Sequence, residues 1–239
     1  MKKLITQWLT NYLSQEVDHP AAVSGLGYSW WDVIKPGDVL LVEGRTRVST
    51  AIKYLTQSTW SHAALVVNAD AGELIEADIK NGVVKTPVQK YDGHNVRVCR
   101  SIGVTNSNML DLLNFAESHI GVSYDLKNII DLARYLIPTP PVPAKFRRQL
   151  LTLGSGDPTE KVICSALIAR AFQSIGYPIL PAQRLIEDGN VESQPRHYSL
   201  FMPRDFDLSP YFEIVKPTVV KGFDYKTMIW SVPEKPSAT

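Results

Sequence analysis

The chain has 239 residues, enough to bury a substantial core, with 44% hydrophobic and 21% charged residues, ordinary proportions for a soluble globular protein and unlike those of disordered chains. Lys and Arg number 25 against 24 Asp and Glu, a net charge of +1, so no field favours a polyanion and nucleic acid is not expected as a partner. No run approaches the roughly 20 apolar residues that cross a bilayer, and two cysteines, Cys99 and Cys164, do not describe a disulfide-stapled secreted domain.

Leu4, Ile5, Trp8, Leu9, Tyr12 and Leu13 recur at helical spacing, which predicts an amphipathic helix over residues 3–14. Docked on its own domain, this helix is structural; with Trp8 and the flanking lysines it is also a candidate for peripheral membrane contact. Gln7, Thr10 and Asn11 break up any signal-peptide core, so the expected location is cytoplasmic. After a connector with Pro20, Gly25 and Gly27, the turn signal Pro36-Gly37-Asp38 precedes a strand at Val39-Leu40-Leu41-Val42-Glu43. Val48, Ile52 and Leu55 mark a helix.

The runs His62 to Asn68 and Glu73 to Asp78 predict two strands around a hairpin loop that ends at Gly72. More strand pattern follows at Val83-Val84 and Val96 to Cys99. A helix is predicted from Met109 to His119, closed by Gly121, and another from Asp125 to Ile137. Residues 138–160 are rich in proline, carry the basic cluster Lys145-Phe146-Arg147-Arg148, and are read as an inserted loop with a short helix at 145–152 and a candidate lid. A helix opens at Cys164 and stops near Ile175-Gly176-Tyr177-Pro178; Met202 to Phe206 starts another, and Tyr211 to Val215 forms a late strand. These elements divide the chain into an N-terminal helix and connector (1–30), a single domain (31–232) and a frayed tail (233–239).

The chemistry begins at Cys164. A thiol at a helix N-terminus meets free backbone N–H groups and the positive end of the helix dipole, both of which favour a thiolate; a cysteine on an apolar helix face is otherwise plain core filling. His62, at the head of the apolar strand Ala63-Ala64-Leu65-Val66-Val67, supplies a base for such a nucleophile. A useful imidazole must itself be oriented. If a three- or five-residue loop joins the two hairpin strands, His62, Glu76 and Asp78 share one face, and either carboxylate can hold the ring; a two- or four-residue loop would put Glu76 on the opposite face. Cys99, Cys164, His62 and His94 lack the close spacing of a structural zinc site, so neither metal nor cofactor is expected. His19, His94, His119 and His197 are read as structural or surface residues.

Pro36 to Leu41, Ser58-Thr59-Trp60-Ser61-His62 with the strand after it, Ile75-Glu76-Ala77, Gly121-Val122-Ser123-Tyr124-Asp125, Cys164-Ser165-Ala166-Leu167-Ile168 and Met202 to Phe206 together resemble the circularly permuted NlpC/P60 papain-like hydrolases of the YaeF/YiiX group. The resemblance implies an α+β, permuted papain-like fold, an antiparallel sheet or barrel packed against helices, in which the strand carrying the histidine precedes the helix carrying the cysteine. It implies Cys164 as nucleophile, His62 as general base and Glu76 as the residue that orients it, with Tyr124 and Trp60 lining the substrate cleft. The chain differs from the group at Ala166, where glutamate is common. The expected activity is hydrolysis of an amide, in a peptide, a cell-wall peptide or a small conjugate, through a thioester. Acyl transfer or hydrolysis on an acyl lipid is the alternative within the same chemistry, and a noncatalytic binding module the alternative outside it.

Overall fold

The structure, a computed structural model, describes residues 11–12, 14–17, 30–78, 80–122, 164–181, 184–185, 191–192 and 196–215. Most of the helix expected over 3–14, the helix expected at 125–137, the proline-rich segment 138–160 with its short helix, Tyr124, His19 and the tail at 233–239 lie outside the described residues.

A six-stranded antiparallel sheet organises the described chain. It comprises β1 (Val39–Val42), β2 (His62–Asn68), β3 (Glu73–Asp78), β4 (Gly82–Pro87), β5 (Val96–Ser101) and β8 (Phe212–Val215), in the order β4-β3-β2-β1-β5-β8. A two-stranded ribbon, β6 (Arg184–Leu185) with β7 (Val191–Glu192), stands apart from it. The helices are α1 (Arg47–Thr56), α2 (Asn106–Ser118), α3 (Cys164–Ser174) and the short α4 (Pro203–Asp207).

The central strand β1 is the unbroken apolar run Val-Leu-Leu-Val, buried at every position, because both faces of the sheet are covered. Val39 and Leu41 join Ala63, Leu65, Ile75 and the α3 residues Leu167, Ile168 and Phe172 in the larger core. Leu40 and Val42 meet Ala64, Val66, Leu74 and Tyr91 on the opposite face. Burying Phe172 completely contributes about 2–3 kcal/mol by area alone, and its ring meets Phe212 edge to face at 5.1 Å, the arrangement aromatic quadrupoles prefer.

Local sequence sets the ends of the helices. Thr46 caps α1 by accepting the Ser49 N–H at 3.3 Å, as N-cap hydroxyls do. The helix α3 stops at Gly176, in the left-handed region at φ 69°, with the Tyr177 N–H donating to the Phe172 carbonyl at 2.9 Å and the two rings in tilted contact at 5.4 Å; the bond and the apolar contact are those of a Schellman close. At α4, Pro203 takes the first helical position and Asp205 accepts the Met202 N–H at 2.9 Å.

The hairpin β2–β3 departs from the simple parity rule. Its strands bound a four-residue loop, Ala69–Gly72, and the pair nearest the turn is Asn68 with Glu73, which by itself would set His62 and Glu76 on opposite faces. A bulge between Val66 and Asn68 absorbs one residue, so that Val66 pairs with Leu74 and Leu65 with Ile75. That shift returns His62 and Glu76 to one face, since a bulge inserts a single unpaired residue and flips the alternation beyond it.

Candidate active site

The helix α3 packs across β2 and β3, and small residues at Ala166, Ala169 and Ala171, all buried, let it lie close to the sheet. The Ser165 hydroxyl donates to the Phe201 carbonyl at 2.7 Å, tying the start of the helix to the segment before α4. Cys164 therefore arrives at the open end of β2, where His62 is the first strand residue. Cys164 is 6% exposed and buried in the core, while the His62 side chain keeps 22% of its surface. Both line a cavity of about 380 Å³.

The His62 Nε2 lies 2.6 Å from Glu76 Oε2. A carboxylate only accepts, so Nε2 carries the proton and Nδ1 is left for Cys164, with which the ring is hydrogen-bonded. Glu76 is fully buried and receives three further donors: the Thr86 hydroxyl at 2.7 Å, the Lys90 ammonium and the Tyr91 hydroxyl. Burial alone would push its carboxyl up, yet the bonds and charges of His62 and Lys90 hold it well below the usual carboxylate range.

The same competition sets the other groups. Burial pushes the His62 ring down, but the charge and hydrogen bond of Cys164, together with those of Glu76, raise it to about 10. Burial pushes the Cys164 thiol up, and the His62 imidazolium and the backbone N–H groups of Ala63 and Ser165 bring it below its ordinary value. These shifts favour a thiolate–imidazolium pair backed by a buried carboxylate. Tyr91, driven well above its ordinary value by burial and by Glu76, stays a hydroxyl donor.

Asp78, the rival for the histidine ring, is occupied elsewhere: its Oδ1 accepts from the Lys80 and Asn81 N–H groups, both at 2.9 Å, and pins the turn after β3. Trp60, expected at the cleft, is buried in the larger core and is not among the residues lining the cavity; its indole N–H bonds Asp207 at 3.1 Å and its face receives Arg97, which draws it away from the site. His94, read as a structural or surface residue, lines the cavity and meets the Tyr91 ring edge to face at 5.7 Å. His119 packs on Phe115, and His197 accepts the Ser199 N–H in a short turn.

Thr86, Lys90 and Tyr91 were not foreseen from the sequence. Thr86 pairs with Leu74 on β3 and so shares the face of Glu76, a parity that carrying the register into β4 would have exposed. Lys90 and Tyr91 come from a single 3₁₀ turn, Val88–Tyr91, which has no periodic signature. Cys99 is a free, core cysteine whose thiol burial and Asp207 push up to about 12, so it is inert. Among the described residues no three His, Cys, Asp or Glu side chains are grouped to hold a metal ion.

A family model matches residues 33–135, the stretch that carries β1 to β5 with His62 and Glu76 and stops short of Cys164. The match is to the permuted papain-like amidases, YaeF/YiiX, C92 family. It bears out the resemblance seen in the sequence. A crystal structure described as metalloprotein yiiX from Escherichia coli O157:H7 superposes with a TM-score of 0.52 at 16% identity, over 77% of this chain and 97% of that one. At that identity it speaks for the fold, which is α+β and permuted papain-like. No match was found among curated proteins.

Proposed function

We propose that this chain is a thiol hydrolase of amides in which Cys164 is the nucleophile, His62 the acid and base, and Glu76 the group that orients the ring. The family match supports amidase chemistry at the coarse level; the residue roles rest on the hydrogen-bonded chain from Cys164 through His62 to Glu76, open to a cavity at the start of α3.

The Cys164 thiolate attacks the amide carbonyl carbon, and the carbonyl π electrons move to oxygen. As the oxyanion collapses, the C–N bond breaks and His62 delivers its Nδ1 proton to the departing nitrogen, leaving an amine and a Cys164 thioester. Neutral His62 then takes a proton from water, whose hydroxide attacks the thioester; the C–S bond breaks, the acid leaves, and the thiolate–imidazolium pair is restored. Glu76 keeps Nε2 protonated throughout, so that only Nδ1 exchanges protons.

The test is to incubate the protein with a panel of N-acyl p-nitroanilides and to trap the acyl enzyme by acid quench. Expected is p-nitroaniline release together with an acyl mass on the peptide containing Cys164, both absent in Cys164→Ala. Turnover that survives Cys164→Ala would overturn the assignment.

A further inference from the structure

Each half of that reaction builds an oxyanion, which needs donors fixed in advance. The Cys164 backbone N–H, in the first turn of α3 where helical N–H groups lack intrahelical acceptors, is one. We propose that the Ser61 hydroxyl is the other, a catalytic residue for the acyl-transfer steps; this rests on the thiol-hydrolase reading of the site.

Ser61 is 2% exposed, yet it lines the cavity together with His62 and Cys164. Its Oγ accepts the Gly44 N–H at 2.9 Å. That bond uses a lone pair and leaves the hydroxyl proton, for which no acceptor stands in reach among the described residues. Buried hydroxyls rarely forgo a bond; one that borders a cavity and keeps its donor free is set for an acceptor that arrives with a ligand. Ser61 immediately precedes His62, the first residue of β2, and its N–H donates to the Val42 carbonyl at 3.1 Å, which fixes it at the end of β1 beside the base.

The loop after β1 is shaped around this hydroxyl. A Cβ at Gly44 would fall 2.9 Å from Ser61 Oγ and 2.2 Å from Ser49 Oγ, distances no side chain tolerates, so only glycine lets the backbone N–H close on Ser61. A hydroxyl that accepts from an amide is polarised and becomes the better donor, as an oxyanion requires.

The experiment compares two reactions of the same thiolate. Acylation of Cys164 by p-nitrophenyl acetate passes through an oxyanion, whereas alkylation by iodoacetamide displaces iodide from a saturated carbon and builds none. In Ser61→Ala the acylation rate constant should fall on the order of 100-fold, with alkylation of Cys164, located by peptide mass, within about twofold of wild type; Ser61→Thr should regain part of the loss. Acylation within about twofold of wild type overturns the proposal. So does an equal fall in both reactions, which would give Ser61 only the task of holding the loop and the thiolate. A wild-type protein in which Cys164 reacts with neither reagent fails at the earlier step, and the thiol-hydrolase reading and the Ser61 role fall together.

Discussion

Replacing Glu76 separates what the carboxylate does for the fold from what it does for the thiolate. In Glu76→Ala the Thr86 and Tyr91 hydroxyls, 7% and 5% exposed, lose their acceptor where water does not reach freely. Each stranded hydroxyl costs about 1–3 kcal/mol, so the pair costs roughly 2–6 kcal/mol. Lys90, with 42% of its side chain exposed, turns to solvent and adds little. At roughly 2–4 °C per kcal/mol for a chain of this size, the melting temperature should fall by roughly 4–24 °C. Glu76→Gln keeps the shape and one accepting oxygen and should lose less than half as much. It still removes the charge that opposes the His62 ring, so the Cys164 thiol should move back toward its ordinary value. The assays are thermal unfolding and iodoacetamide labelling of Cys164 from pH 5 to 9, in which the labelling midpoint should rise in Glu76→Gln although the protein stays folded at 25 °C. A Glu76→Ala protein that melts within 2 °C of wild type, or a Glu76→Gln protein with an unchanged labelling profile, would refute the account.

Loss of the ring itself, in His62→Ala, should return Cys164 toward an ordinary thiol, of which only about 0.3% is thiolate at pH 6, so labelling at pH 6 should slow on the order of 100-fold while labelling at pH 9 changes little. The thiolate–imidazolium pair also fixes a pH dependence of stability. His62, raised from 6.5 to about 10, stabilises fully below pH 6.5 and loses its contribution as pH climbs through 10; Cys164, lowered from 9.0, stabilises fully above pH 9 and loses its contribution as pH falls through its folded value. Between pH 6.5 and 9 the folded and unfolded pairs each hold one proton, so the stability difference between wild type and Cys164→Ala/His62→Ala, measured by urea unfolding, should be flat there and should shrink from pH 9 to 10 by at most about 1.4 kcal/mol per pH unit. Asp38 is 1% exposed and accepts two bonds from Arg100, at 2.8 and 2.7 Å, and one from the Lys35 N–H at 2.8 Å. Asp38→Ala leaves that partly buried guanidinium without its carboxylate, with the Val33 carbonyl still accepting from it, and should cost about 3 kcal/mol, seen as a lower urea midpoint with the labelling profile of Cys164 unchanged.

Much of this protein is set by chain-local physics that the sequence displays directly. The unbroken apolar runs of β1 and β2, the caps Thr46 and Gly176 and the proline that opens α4 each act within a few residues, so the elements and their order follow from spacing. Cys164 at a helix start and His62 at a strand start are visible for the same reason. The family resemblance named Glu76, but no local signal separates it from Asp78. The bulge beyond Val66 reverses the alternation that a four-residue loop would impose and sets both carboxylates on the face of His62; the choice between them is made by the turn that Asp78 closes. The donors that keep Glu76 ionised, Thr86, Lys90 and Tyr91, reach it from a third strand and the turn after it. The inward turn of Trp60 toward Asp207 joins residues 147 positions apart. Side-chain direction, burial and charge pairing depend on what a residue meets across the sheet, and those neighbours exist only once the strands have paired.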